Sequence, residues 1–260
     1  MPIHMIQLVR QGILLNILRI RLYSLSFLFE ILGNVAFVTV TLLFWQAIYA
    51  SFPSSIHWTK PQMYLFIGYV ELFIALKNGI FPVTGKLWRF VFSGQIDTYF
   101  TRPVHPAILF IVNNFHLEYL AAPLPTIAFL FLKSSSAWTV AGLAGGILIV
   151  LAAVFITALL ELTASGLAFW FGNISAIDEI VDSFLQMNKY PLTLLGYGWQ
   201  AVFSIALPFM FNATVPSQLA TGMHISWISI YGGIFTLVFW PVLVYSVWKG
   251  GRRRYEGYGG

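Results

Sequence analysis

The chain has 260 residues, of which 58% are hydrophobic, 17% aromatic and only 9% charged, with a mean hydropathy of +0.80. So little polar surface excludes a soluble domain of this length and points to a polytopic membrane protein, residues 1–260 forming one transmembrane domain. The formal charge of +5 is not a nucleic-acid signature, because the basic residues stand singly at the ends of apolar runs and in one C-terminal cluster, where they act as topology signals; the lack of cysteine removes disulfides, thiolate metal sites and thiol nucleophiles.

In chain order, residues 1–21 mix apolar residues with Gln7, Arg10, Gln11, Asn16 and Arg19 and read as a weakly amphipathic interfacial helix. This first apolar run is too long for a signal-peptide core and has no small-residue cleavage site after it, so it is expected to remain. Residues 22–48 form the first expected span, with Glu30 and Asn34 one turn apart. Residues 63–81 form the second and carry Glu71 and Lys77, whose six-residue separation puts them on different helix faces.

The next stretch, residues 85–106, organises the rest. On a helix, Lys86, Arg89 and Ser93 share one side, while Leu87, Trp88, Val91 and Phe92 share the other, the pattern of a helix lying flat in a membrane surface. Gly94 closes it, and Arg102-Pro103 with Pro106 enforces extended backbone before the next apolar run. A cytoplasmic helix over residues 85–97 is therefore expected.

The third span, about 104–132, is irregular: it holds Asn113, Asn114, His116 and Glu118, and Pro123 and Pro125 remove two backbone donors. The fourth, 138–160, has Gly142 and Gly146 at a spacing suited to close helix contact, and small residues at 164–168 allow it to run on to Trp170. Two apolar pieces lie between residues 174 and 211, and a last span covers about 225–248. Seven crossings would put the termini on opposite sides. Arg10, Arg19 and Arg21 at one end, and Lys249 with Arg252, Arg253 and Arg254 in the tail 249–260, both require the cytoplasm. Six transmembrane helices satisfy that requirement, leaving one piece re-entrant. Either 191–211 is the fifth span, or the fifth span starts near residue 174 and 191–216 dips back from the outer face. Pro191, Gly196, Gly198, Pro208 and Pro216 favour the second arrangement.

No catalytic or metal constellation is present in the sequence. GIFPVTGK (residues 79–86) is one residue too long for a phosphate-binding loop, and Leu87 stands where a Ser or Thr would hold magnesium. The five histidines are scattered, so no metal site and no enzyme activity is expected. Ionisable groups within spans are costly and tend to face other helices or a wet cavity. Glu30, Glu71, His116 and Glu118 are thus candidates for a substrate path, the plainer alternative being hydrogen bonding across helix contacts. Glu161, Asp178, Glu179 and Asp182 read as solvated or partner-facing acids near cytoplasmic helix ends.

The run Gly94-Gln95-Ile96-Asp97, then Tyr99, Arg102-Pro103-Val104 and Pro106, resembles the G-x-[IL]-D-x-x-x-x-R-P-[VL]-x-P signature of bacterial and archaeal ABC type 2 transporter permeases. Phe169-Trp170, Tyr190-Pro191-Leu192, Leu207-Pro208 and Val215-Pro216 resemble later landmarks of that group. Residues 248–259 resemble its W-[KR]-x-G ending, with a shifted glycine and with Gly257 in place of a serine.

The resemblance implies an all-α membrane subunit of six transmembrane helices that pairs with a second permease, identical or related, in the cell inner membrane. It would bind two copies of a separate ABC ATPase, on which ATP and Mg would reside, leaving no cofactor in this chain. The segment between the second and third spans would be the coupling helix, with Lys86, Arg89, Asp97 and Arg102 contacting the ATPase. An alternative for Asp97 and Arg102 is a local cap or ion pair. The implied function is export of an amphipathic or cationic small molecule. Transport of a lipid or glycan intermediate, or a non-transport scaffold role, are the alternatives.

Overall fold

The computed structural model describes residues 2–52, 57–100 and 106–255. The chain is 81% helix, and no strand occurs among the described residues. Helix α1 (Pro2–Leu22) bends at Tyr23 (φ −112°, ψ 42°) into α2 (Ser24–Ser51). Helix α3 (Lys60–Ile80) starts at a capping box: the Thr59 N–H donates to the Gln62 side chain at 2.8 Å and the Gln62 N–H returns to the Thr59 hydroxyl at 3.5 Å, with Pro61 in the first turn. Short helices α4 (Leu87–Phe92) and α5 (Asp97–Phe100) follow, then α6 (Pro106–Asn113), α7 (Leu117–Ala121) and α8 (Leu124–Lys133). Helix α9 (Val140–Gly166) is capped by the Thr139 hydroxyl, which accepts from the Gly142 N–H at 3.1 Å, and α10 (Ala168–Phe171) prolongs it. The chain ends through α11 (Ser175–Leu185), α12 (Tyr197–Ile205), α13 (Thr214–Thr221) and α14 (Trp227–Arg254), with two 3₁₀ turns before α12 (Gln186–Lys189 and Leu192–Leu194) and one after it (Pro208–Phe211).

Among the described residues, four helices are long and apolar enough to cross a membrane: α2, α3, α9 with α10, and α14. The other two expected crossings are not single helices. Around residues 104–132 the helical run breaks at Asn114–His116, where the His116 N–H donates to the Gly79 carbonyl at 2.9 Å, and again ahead of the proline-bearing first turn of α8. Around 174–211 the breaks fall at Tyr190-Pro191 and Leu207-Pro208, because proline disfavours helical backbone in the residue before it.

Helix α3 is the centre of the bundle. It packs on α7 and α8 at one side and on α9 and α13 at the other, whereas α2 lies at the periphery with only 6% of its apolar window covered by the chain. Between apolar helices in lipid there is little hydrophobic gain, so contact rests on close packing and hydrogen bonds. Gly142 and Gly146 show this. A Cβ at Gly142 would stand 2.8 Å from the Ala220 Cα, and one at Gly146 would collide with the Tyr69 hydroxyl, which donates to the Leu143 carbonyl at 3.1 Å.

Two points fix how α11 to α13 lie against the bundle. The Trp88 indole N–H, in α4, donates to Asp178 in α11 at 3.1 Å. The Trp58 indole N–H, just before α3, donates to the Thr193 hydroxyl at 3.0 Å. Residues 178–193 therefore run from one end of α3 to the other. Helices α12 and α13 then pack against the N-terminal halves of α14 and α9: Ser204 meets Ser229 at 3.2 Å, and the Thr139 N–H donates to the Ala220 carbonyl at 3.2 Å.

Candidate coupling site and the polar groups of the bundle

The segment after α3 is a run of turns over residues 82–86 that delivers α4 to the ends of four other elements. Leu87, Trp88 and Val91 are buried; Trp88, Val91 and Ile96 pack with Ala168, Phe169 and Ile174, and Trp248 and Tyr255 close the cluster. Lys86 and Arg89 are exposed and form no ion pair with the described residues; the Arg89 guanidinium lies 5.4 Å from the centre of the Trp88 ring. The two-sided character read from the spacing is thus present, with one difference. Phe92, expected beside Leu87 and Trp88, is 47% exposed, because α4 ends there and Gly94 (φ +72°) turns the chain, so that Ile96 fills the space and its N–H donates to the Phe90 carbonyl at 3.0 Å. Within the expected 85–97 helix, regular structure thus covers Leu87–Phe92, and a second short helix opens at Asp97.

Asp97 is half-buried in the first turn of α5. Burial, together with the Asp97 carboxylate beside it, pushes the Tyr255 hydroxyl above its ordinary pKa. The C-terminal end of α14 is therefore seated against this segment. Arg102 lies outside the described residues.

The four candidate path residues do not form one cluster. His116 and Glu118 meet Arg19 of α1: His116 Nδ1 is 2.8 Å from Glu118 Oε1 and 3.1 Å from Arg19 Nη1, and the guanidinium is 3.6 Å from the same carboxylate. The imidazole nitrogen either donates to the carboxylate or accepts from the guanidinium, according to its tautomer. Glu30 faces this group across a cavity of about 200 Å³ that also takes in Tyr23 and Ser26. One oxygen of each acid, Glu30 Oε2 and Glu118 Oε2, is buried with no hydrogen-bond partner among the described residues.

Glu71 is elsewhere, at the α2–α3–α8 contact. It is 2% exposed and accepts from the Asn34 amide at 2.6 Å, while the Asn34 carbonyl accepts from the Thr126 hydroxyl at 2.5 Å. Glu71 thus takes part in a chain of hydrogen bonds across the contact of three helices.

A third polar group escaped the sequence reading. Lys77, with no acid one turn away on its own helix, pairs with Glu161 of α9 at 2.7 Å, and the Thr84 hydroxyl donates to the other oxygen of that carboxylate. Glu161 is 1% exposed, not solvated. One turn on, the Ser165 hydroxyl lies 2.8 Å from the carbonyls of both Thr84 and Gly85. The sequence carried one signal, a lysine within a span that lacked a local partner.

Among the described residues no group of three or more His, Asp or Glu side chains is placed to hold a metal. The family profile described as ABC-2 family transporter protein matches residues 35–259. The chain belongs to the ABC-2 transporter family. No curated protein matches it. As an ABC-2 permease it is a multi-pass membrane transport subunit and not itself a catalyst, in a family whose members typically work with an ABC ATPase.

Proposed function

We propose that this ABC-2 permease is the membrane subunit of an ATP-driven exporter, with α4 as the element seated in a partner ATPase. The observation that carries the reading is the two-sided anchoring of α4. Its apolar side is held by the ends of α9, α10, α11 and α14, and its cationic edge, Lys86 and Arg89, is exposed. A helix built this way transmits a push from the cytoplasm into the bundle. Asp97 and Arg102 belong to the same proposed contact.

In this reading both termini are cytoplasmic, since Arg19, Arg21 and Arg252 to Arg254 close the two end helices. The third crossing is α6 to α8, and the fifth is α11 with the turn after it. The span from the Trp88–Asp178 contact to the Trp58–Thr193 contact supports that assignment. Helices α12 and α13 form the re-entrant segment from the outer face. Two ATPases, carrying ATP and Mg, and a second permease, identical or related, complete the assembly in a cell inner membrane. The substrate is an amphipathic or cationic small molecule, with Glu30, Glu118 and His116 at the inner end of its path.

One observation favours lipid-like cargo as a second reading. An open apolar groove of about 280 Å³ lies between α9, α13 and α14, lined by Ile149, Ala153, Phe211, Val215, Ile230 and Leu237. ATP-dependent movement of a fluorescent phospholipid in proteoliposomes tests it.

Purification of the tagged permease from native membranes tests the leading reading. A nucleotide-hydrolysing subunit is expected to copurify, and the K86E/R89E double variant is expected to reduce its recovery at least tenfold at equal permease yield. Equal recovery in the variant would contradict the assignment of α4.

A further inference from the structure

The Glu161 carboxylate touches both α3 and the loop leading to α4. Its Oε1 is 2.7 Å from Lys77 Nζ, in the last turn of α3, and its Oε2 accepts from the Thr84 hydroxyl. Ser165, four residues along the same helix face, adds hydroxyl contacts to the carbonyls of Thr84 and Gly85. The backbone at Gly85 lies close to both acids: a Cβ there would stand 3.3 Å from Asp178 Oδ1, a tight contact, and 3.6 Å from the Glu161 carboxyl carbon, an ordinary one. Three residues on, Asp178 accepts from the Trp88 indole. The segment 84–88 is thus held by side chains from α9 and α11, all at one end of the bundle. Glu161, Thr84 and Ser165 are all buried, so water does not replace these contacts without the segment lifting off.

We infer that Glu161 is the positioning residue through which motion of the coupling segment reaches the transmembrane helices. With Lys77 and Thr84 bound to one carboxylate, the last turn of α3, the 82–86 turn and the end of α9 move as one body. A displacement of α4 is then delivered to the centre of the bundle and not lost as bending of the loop. This inference rests on the proposal that α4 seats in an ATPase, and it adds the route by which that contact acts.

The chain has no cysteine, which gives a clean reporter. Tyr197, at the start of α12 and 68% exposed, is replaced by cysteine, and its labelling by a membrane-impermeant maleimide is followed in the complete complex in nanodiscs, with and without ATP and vanadate. In the otherwise natural chain, nucleotide trapping is expected to change the labelling rate at least fivefold. Thr84→Val keeps the side-chain shape but removes the hydroxyl donor. It is expected to hold its ATPase and hydrolyse ATP while the rate change shrinks below twofold, and Thr84→Ser is expected to restore it. Glu161→Gln is expected to behave as Thr84→Val does. A full rate change in Thr84→Val, whatever Glu161→Gln does, overturns the inference. Absence of any rate change in the natural background contradicts the coupling proposal itself, and the role of Glu161 falls with it.

Discussion

Lys77 and Glu161 set the energetic stakes at the level of single side chains. Removing one partner of a buried ion pair leaves an uncompensated charge and costs about 3–5 kcal/mol, whereas replacing both by apolar residues of similar volume is often close to neutral. Lys77→Met alone is therefore expected to lower the unfolding midpoint of the detergent-solubilised chain markedly, and K77M/E161M to recover most of the loss. Tryptophan fluorescence on heating, with size exclusion to score aggregation, reads both. An equal loss in the single and double variants would show that a buried, unpaired Glu161 is not what destabilises the Lys77→Met chain. At this scale the sequence was only partly legible. It marked Lys77 and Glu71 as ionisable groups within spans, and Glu71 is indeed buried, against Asn34 and Thr126. It could not show that the 82–86 turn folds over the end of α9, because that placement depends on the α3–α9 packing and not on local pattern. Glu161, read as lying near the cytoplasmic end of its span, looked solvated for the same reason.

At the level of elements, close approach of helices is what local pattern shows best. The four-residue spacing of Gly142 and Gly146 marked the face of α9 that α13 and α3 occupy. Gly146→Ala places a methyl group against the Tyr69 hydroxyl, whose hydrogen bond to Leu143 would have to shift; overpacking of this kind costs about 1–3 kcal/mol. Gly33→Ala in α2, where a Cβ meets nothing within 4 Å, serves as the control and is expected to leave the unfolding midpoint unchanged or slightly raised. Equal effects at the two glycines would contradict the α3–α9 contact. Three helix starts are set by side-chain caps, Thr59, Thr139 and Ser226 each accepting from a backbone N–H of the first turn; the expected second span, from residue 63, missed the first turn of α3 at Lys60. Less legible was how the proline-containing stretches divide. The prolines at 123, 125, 191 and 208 showed that regular helix must stop, but where α12 and α13 go afterwards follows from small contacts such as Gly232 against the backbone of Ser204.

For the whole molecule, composition alone excluded a soluble chain, and the alternation of exposed cations with apolar residues at 86–92 singled out the segment between the second and third expected spans. Phe92 departs from that alternation because α4 is too short to keep a stripe past its last turn. The family match makes the chain a membrane transport subunit that is not itself catalytic, and the anchoring of α4 supports the proposal that its driving force comes from a partner ATPase. That claim is tested most directly by a photo-cross-linking amino acid placed at Arg89 and activated in native membranes. The account predicts an adduct between this chain and an ATP-hydrolysing subunit, formed from the cytoplasmic side. Adducts only with lipid, or with a protein that binds no nucleotide, would contradict it.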